Sequence, residues 1–321
     1  MGEFDLIQRY FTPASYPHDV LLGVGDDAAV VAVPSGFRLV AAVDTVVAGV
    51  HFPVDTAAAD IAYRVLAVNL SDMAAMGAQP RWFTLSLCIP DASESWLTEF
   101  GSSLQQLARQ YDVHLIGGDT VRGGLNISIQ MLGIVESDVW LQRGGAKPGD
   151  VLFVSGIPGE AAGGLQLLLN PSIPVESLHR EHLLQRFYRP MPRVQLGRRI
   201  RGLASSAMDV SDGLLTDLGK LCAASRCGAH VDLDALPISH AAIATYGQQA
   251  AEQYALAGGD DYELLFTVAS ENLLSLESAI GDLAVRCTPI GRIMPGEAVQ
   301  CFRRGEPVSM NITGFDHFAR N

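Results

Sequence analysis

Lysine is nearly missing: Lys147 and Lys220 are the only two in 321 residues, against a formal net charge of −13. Without a lysine in a G-x-x-x-x-G-K-[ST] setting, a P-loop nucleotide site is excluded. A basic face for nucleic acid is excluded too. Cysteine is sparse and unpatterned; Cys88, Cys222, Cys227, Cys287 and Cys301 form no C-x-x-C pair, which reads as reduced thiols in the cytoplasm. No apolar run approaches ~20 residues, so no membrane span is expected. The start, Met1-Gly2-Glu3-Phe4-Asp5, lacks the basic and apolar regions of a signal peptide. The eight histidines contain no H-E-x-x-H, and neither Ser155 nor Ser211 lies in a G-x-S-x-G elbow. Gly23 to Ala28 fits G-x-G-x-x-A, but a strand-like run follows where a dinucleotide site needs a helix.

What remains is apolar and glycine-rich. Hydrophobic residues make up 48% and charged residues 18%, and there are 32 glycines. This length and composition suit two domains with packed cores and many tight turns. Apolar spacing predicts helices over 4–11, 60–76, 93–111 and 214–224, and strands over 39–43, 82–89, 127–135, 151–155, 207–210, 229–233 and 263–268. The strand from Leu39 is expected to end at Asp44-Thr45, and the short strand Leu115-Ile116 to break at Gly117-Gly118-Asp119-Thr120. The densest turn cluster, Gly144 to Asp150, marks the domain boundary to within ten residues. We place an N-terminal α/β domain at 1–137 and a C-terminal α+β domain at 138–321. Strands and helices alternate without a strict βαβ rhythm, so the fold class is α+β with mixed sheets.

The acids fall in one pattern. Asp26, Asp27, Asp44, Asp119, Asp209, Asp212, Asp260 and Asp261 stand at strand ends or in loops beside Gly, Ser or Thr. Singly, each is explained as a turn former or helix cap. Asp72 is different, because it lies in a small, apolar helical segment where an unpaired carboxylate is expensive. Asp209 and Asp212 could face one cavity, with Ser211 and the following helix N-terminus as anion donors. Hard cations such as Mg²⁺ take one or two carboxylates each and complete their shell with water and phosphate oxygens. An acidic site attracts a polyphosphate only when cations intervene. Several scattered aspartates without a P-loop lysine therefore point to metal-assisted phosphoryl transfer.

In order along the chain come Gly25-Asp26-Asp27-Ala28-Ala29, Asp44-Thr45 with Gly49-Val50-His51-Phe52, and Asn69-Leu70-Ser71-Asp72-Met73-Ala74-Ala75-Met76-Gly77-Ala78. Gly117-Gly118-Asp119-Thr120, Met208-Asp209-Val210-Ser211-Asp212-Gly213-Leu214 and Gly258-Gly259-Asp260-Asp261-Tyr262-Glu263-Leu264-Leu265 follow. Together they resemble the thiamine-monophosphate kinase family. The resemblance runs from Gly2-Glu3-Phe4 to Gly314-Phe315-Asp316-His317-Phe318. It implies a two-domain fold like aminoimidazole ribonucleotide synthetase, with an ATP cleft between the domains and a homodimer formed by the N-terminal one. It also implies ATP-dependent phosphorylation of thiamine monophosphate to thiamine diphosphate, the last step in making that cofactor. By resemblance, Asp27, Asp44, Thr45, Asp72, Asp119, Asp209 and Asp212 hold several Mg²⁺ ions. Gly118, Asp119, Arg143 and Ser211 contact ATP, and His51, Glu263 and Phe315 contact the thiamine phosphate. The chain departs from some family members at Gly101, where they place a tyrosine near ATP.

Direct in-line transfer is the expected mechanism, with no catalytic side chain beyond those that position and neutralise. The acceptor phosphate is already ionised, so no strong base is needed. Two other readings stay open at this point. One is a sister ATP-dependent synthetase with another acceptor; the absence of an N-terminal cysteine counts against a selenophosphate synthetase. The other is a non-catalytic nucleotide-binding protein, which Asp72→Asn with unchanged Mg²⁺-dependent ATP turnover would favour.

Overall fold

The computed structural model describes residues 3–310 and divides into two units. Unit 1 comprises residues up to Met73 with Ala78–Asp138, and unit 2 comprises Ala74–Gly77 with the chain from Val139 onward.

Unit 1 begins with α1 (Glu3–Leu6), which runs into a π-helical turn (Ile7–Phe11) that buries Tyr10 and Phe11. A small antiparallel pair follows, β1 (Val20–Leu22) with β2 (Val30–Val31). Then come β3 (Phe37–Val47), α2 (Ala58–Ala75), β4 (Gln79–Ile89), α3 (Glu94–Tyr111), β5 (His114–Arg122) and β6 (Asn126–Glu136). Their sheet has the order β3-β6-β4-β5, parallel between β4 and β5 and antiparallel elsewhere. The α3 helix starts as its sequence demands: Ser93 accepts the Trp96 N–H, and Leu97, Phe100, Leu104 and Leu107 form its buried stripe. It ends on Asp112 in the left-handed conformation, φ 52°.

Two strands are longer than their sequence predicts. β3 continues through Asp44 and Thr45 to Val47, since β6 pairs with it residue by residue as far as Asn126. β5 continues through Gly117 to Arg122, because Ile116 bulges out between Leu115 and Gly117 and the pairing with β4 resumes. A bulge redirects the side chains that follow it and is frequent beside functional sites.

Unit 2 carries β7 (Val151–Ser155), α4 (Glu160–Leu169), α5 (Ser177–Tyr188), α6 (Val194–Ile200), β8 (Ala204–Val210), α7 (Leu214–Ser225) and β9 (Gly228–Asp232). It continues with α8 (His240–Tyr246), α9 (Gln248–Ala257), β10 (Glu263–Val268), α10 (Leu273–Ile280), β11 (Cys287–Met294), β12 (Val299–Arg303) and β13 (Glu306–Val308). The sheet order is β13-β12-β9-β11-β7-β10-β8, antiparallel except between β12 and β9. β7 and β10 are buried at every residue, with apolar stretches over 151–154 and 264–266. The α7 face made by Leu214, Leu218 and Leu221 packs with Leu152, Val154, Met208 and Val231 into one core. A satellite cluster of Leu167, Leu183, Ala242 and Ala251 joins α4, α5, α8 and α9. Mixed sheets of this kind are what the sequence predicts. Among the described residues no helix is long and apolar enough to cross a membrane.

Candidate active site

On unit 1 the strand register aligns a polar row that no single motif reveals. Thr45 pairs with Ser128, Ser128 with Ser86, and Ser86 with Asp119. Directly paired residues share a face of the sheet, and strands lie about 4.8 Å apart. The Thr45 and Ser128 hydroxyls are hydrogen-bonded at 2.6 Å. Thr45, Ser86 and Asp119 are exposed, whereas Val46, Leu85, Leu87, Ile127 and Ile129 beside them are buried. The row is thus the polar face of a half-buried sheet. Two of its members, Ser86 and Ser128, are invisible to motif reasoning.

Asp44 falls on the other face by strand alternation. Its N–H donates to Asn69 Oδ1 at 3.0 Å, and Asn69 Nδ2 donates to Val65 O at 2.8 Å. Asn69 is wholly buried, so this amide ties α2 to β3. Asp72 lies three residues further along α2, on the same side of the helix. The tie therefore brings the half-buried carboxylates of Asp44 and Asp72 toward one region.

Two loops and the bulged stretch of β5 add to this face of unit 1. The Tyr16 hydroxyl accepts the Val24 N–H at 2.8 Å, and its ring leaves no space for a side chain at Gly23. In the adjacent acidic pair, Asp26 Oδ1 accepts the Asp27 N–H at 2.8 Å, while Asp27 is exposed. After the β5 bulge, Gly118 adopts φ +149°, and a Cβ there would lie 1.9 Å from Leu85 O. Only glycine fits so close an approach. Gly118 and Asp119 line a small cavity of about 40 Å³ with Ile7, Phe11, Val24 and Leu85. His51 Nδ1 accepts the Val47 N–H at 3.1 Å. That bond leaves the proton of a neutral ring on Nε2, as a donor.

On unit 2 the two acidic motifs are stitched together. Asp209 faces Leu264 and Val210 faces Glu263 across β8 and β10. Asp260 N donates to Ser211 O at 2.8 Å, and Tyr262 N to Val210 O at 2.9 Å. Asp260 and Tyr262 hold φ of +70° and +53°, strain typical of functional loops. The helix that follows Asp212 starts at Leu214 with Gly213 at its N-cap and no side-chain cap. Asp217, fully buried one turn into α7, reaches back to the loop before the helix: its Oδ2 accepts the N–H groups of Ser211 (3.0 Å) and Asp212 (2.9 Å). These two backbone amides are therefore engaged within the protein, ahead of the helix's own N-terminal N–H groups at 213–216. Lys220 Nζ bonds Asp217 Oδ1 at 2.7 Å and forms a short ion pair with Asp212 Oδ2. Burial raises the Asp217 pKa, against the hydrogen bonds from Lys220 and the Asp212 amide. For Lys220, burial opposes the charge, yet its bonds to Asp212 and Asp217 prevail and raise its pKa.

Asp261 and Glu263, at the entry to β10, have two different tasks. Asp261 accepts the N–H groups of Gly159 (2.6 Å) and Ala161 (3.3 Å), so it caps α4 from the loop before β10. Burial holds its pKa well above the ordinary carboxylate range. Glu263 is 4% exposed and fully engaged: Ser155 Oγ donates at 2.5 Å, Arg193 Nε at 2.6 Å and Arg193 Nη2 to the other oxygen. Its carboxylate also fills the space beside Gly156. Arg143 has an exposed side chain, with its carbonyl fixed by Ser225 Oγ at 3.0 Å. Phe315 lies outside the described residues. Sequence reasoning missed Asn69, Arg193, Asp217 and Lys220; for Lys220, the rarity of lysine was the available signal.

Among the described residues no three His, Cys, Asp or Glu side chains are grouped closely enough to hold a metal ion alone. The donors present are carboxylates and hydroxyls, several of them exposed, which is the oxygen set that a hard cation takes together with water and phosphate. The residues fit magnesium held jointly with a nucleotide.

Comparison with known proteins agrees along the chain. AIR synthase related protein, N-terminal domain, matches residues 25–135, and AIR synthase related protein, C-terminal domain, matches residues 147–302. The thiamine-monophosphate kinase of Escherichia coli (strain K12) is 47% identical over 320 residues, covering 99% of this chain and 98% of that protein. The crystal structure of thiamine-monophosphate kinase from Stenotrophomonas maltophilia K279a superposes with a TM-score of 0.84 at 47% identity, over 91% of this chain and 93% of that one. AaThiL complexed with AMPPCP and TMP gives a TM-score of 0.78 at 31% identity, over 89% of each chain. A chain so similar over its full length, with every acidic motif in order, belongs to the thiamine-monophosphate kinase family of AIR synthase related proteins.

Proposed function

We propose that the protein transfers the γ-phosphoryl group of ATP to the phosphate of thiamine monophosphate, giving thiamine diphosphate and ADP. The full-length identity of 47% to a thiamine-monophosphate kinase carries this reading. The AaThiL complex with AMPPCP and TMP supports the same pair of substrates.

The acceptor oxygen is ionised at neutral pH, so the chain's task is to position two anions and offset their charge. Asp27, Asp44, Thr45, Asp72 and Asp119 on unit 1, and Asp209 and Asp212 on unit 2, would hold magnesium. When bound, magnesium neutralises phosphate charge and templates the in-line geometry. Gly118 lets backbone and nucleotide approach closely, beside Asp119, while Arg143 and the Ser211 hydroxyl contact the phosphates. His51 donates from Nε2 to the thiamine phosphate, and Phe315 offers it an aromatic face. Glu263 serves the acceptor through Arg193, whose guanidinium it orients. The protein works in the cytoplasm as a homodimer. Its β3 edge supports the dimer, since Leu39 (49%) and Val43 (63%) stand exposed on a long strand that, among the described residues, is paired on one side only.

Incubating the full chain with MgATP and thiamine monophosphate should yield thiamine diphosphate, detected as fluorescent thiochrome diphosphate after oxidation. A folded protein that forms none would overturn the proposal. Labelled ATP without acceptor should leave no phosphoprotein.

A further inference from the structure

Asp217 and Lys220 have no assigned part in the reaction, and their geometry gives them one. The start of a helix ordinarily offers N–H groups to an anion. Here the Ser211 and Asp212 N–H groups both end on Asp217 Oδ2. These two amides, just ahead of the helix's own N-terminal N–H groups, are engaged within the protein. Lys220 is held from below by Asp217 Oδ1 and from above by Asp212 Oδ2. Its anchor is fully buried, whereas Lys220 and Asp212 retain side-chain exposures of 39% and 33%. Hydrogen bonding to Asp212 Oδ1 is not seen among the described residues. One oxygen of Asp212 is neutralised by the protein's own cation and the other is open.

We infer that Lys220, anchored by Asp217, is the resident counter-cation of Asp212, so that a divalent metal reaches this carboxylate only together with nucleotide phosphates. The inference rests on the proposed kinase reading for Asp212. A metal arriving alone must share Asp212 with an ammonium a few ångströms away, and two cations repel at that distance. Polyphosphate supplies the negative charge that offsets both. Lys220 is in this sense a positioning residue: it orders binding, metal with ATP, and keeps the acidic site from retaining idle metal. Its scarcity fits the role, as one of two lysines in a chain of net charge −13 lies between two carboxylates.

The test is Mn²⁺ binding to the full chain without nucleotide, followed by electron paramagnetic resonance. Lys220→Met keeps the aliphatic stem and removes the charge, and should tighten Mn²⁺ binding about tenfold, equivalent to about 1.4 kcal/mol. Lys220→Arg should leave binding unchanged. The gain should vanish in Lys220→Met/Asp212→Asn, which shows that Asp212 is the released ligand. Unchanged or weaker binding in Lys220→Met, or a gain that survives loss of Asp212, overturns the inference. If Lys220→Met does not fold by circular dichroism, Lys220→Gln replaces it with the same expected gain. A merely structural lysine would weaken metal binding or leave it alone. Failure of the kinase reading is distinguishable, since it appears in the wild-type product assay regardless of Mn²⁺ affinity.

Discussion

Glu263 offers the sharpest test of what a motif residue does once folded. Resemblance places it at the thiamine phosphate, whereas in the structure both oxygens are bound by Arg193 and Ser155. Glu263→Gln is isosteric, so no cavity opens, but it removes the carboxylate charge that faces a guanidinium only 10% exposed. Breaking one side of a buried pair costs about 3–5 kcal/mol. Gln keeps one acceptor, so we expect the low end, about 3 kcal/mol. For a unit of this size each kcal/mol lowers the melting temperature by roughly 2–4 °C, giving a fall of roughly 6–12 °C. Arg193→Met alone should cost a similar amount by stranding Glu263. The double variant should recover most of the loss, because the two costs share one interaction. The assay is scanning calorimetry of all four proteins, with kcat and KM for thiamine monophosphate measured on each. A shift below about 2 °C for Glu263→Gln, or strict additivity in the double variant, would refute the anchoring argument. So would a raised acceptor KM in Glu263→Gln at unaltered melting temperature, which is what direct contact by Glu263 predicts.

Other outcomes follow from the same geometry. Gly118→Ala puts a Cβ 1.9 Å from Leu85 O at φ +149°; the β4–β5 pairing should yield, seen as faster amide exchange at 117–120, and the KM for ATP should rise at least about tenfold, or about 1.4 kcal/mol. Thr45→Val removes an exposed hydroxyl from a strand that accepts valine well, so stability should change by less than about 0.5 kcal/mol. Activity at low Mg²⁺ should nonetheless fall, and unchanged Mg²⁺ dependence would remove Thr45 from the ligand set. Burial pushes the Cys222 thiol up to about 12, so at pH 8 it should resist iodoacetamide in the folded protein. Because the folded value is raised, its contribution to stability is full below about pH 9 and is lost as pH climbs toward the folded value. Cys222→Ala should therefore flatten the alkaline fall in urea midpoint, and an equally steep fall would refute that origin.

What the sequence discloses here is what short stretches decide for themselves. The strand at Glu263–Val268 and the Ser93-capped helix end where local apolar runs and capping chemistry end. β3 and β5 outrun their predicted ends because pairing with β6 and β4 overrides the breaks that Asp44-Thr45 and Gly117-Gly118 announce. No local window contains that pairing. The same division holds at the site. Asp27, Asp72 and Asp209 are conspicuous as acids in places where acids are costly or clustered, and this makes them legible. Asn69, Ser86 and Ser128 matter only through register, by which a serine on β4 and another on β6 join Thr45 to Asp119. Asp217 and Glu263 sharpen the point, since both are buried acids amid leucines. Charge alone does not separate a ligand from an anchor; the partner does. Asp217 has two amides and an ammonium, and Glu263 has a guanidinium and a hydroxyl, so each is already satisfied within the protein. In the proposed reading, how far an acid serves magnesium and phosphate depends on how far the fold has already engaged it. By that criterion Asp212 is half claimed, and Lys220 is the residue that decides when the other half is given up.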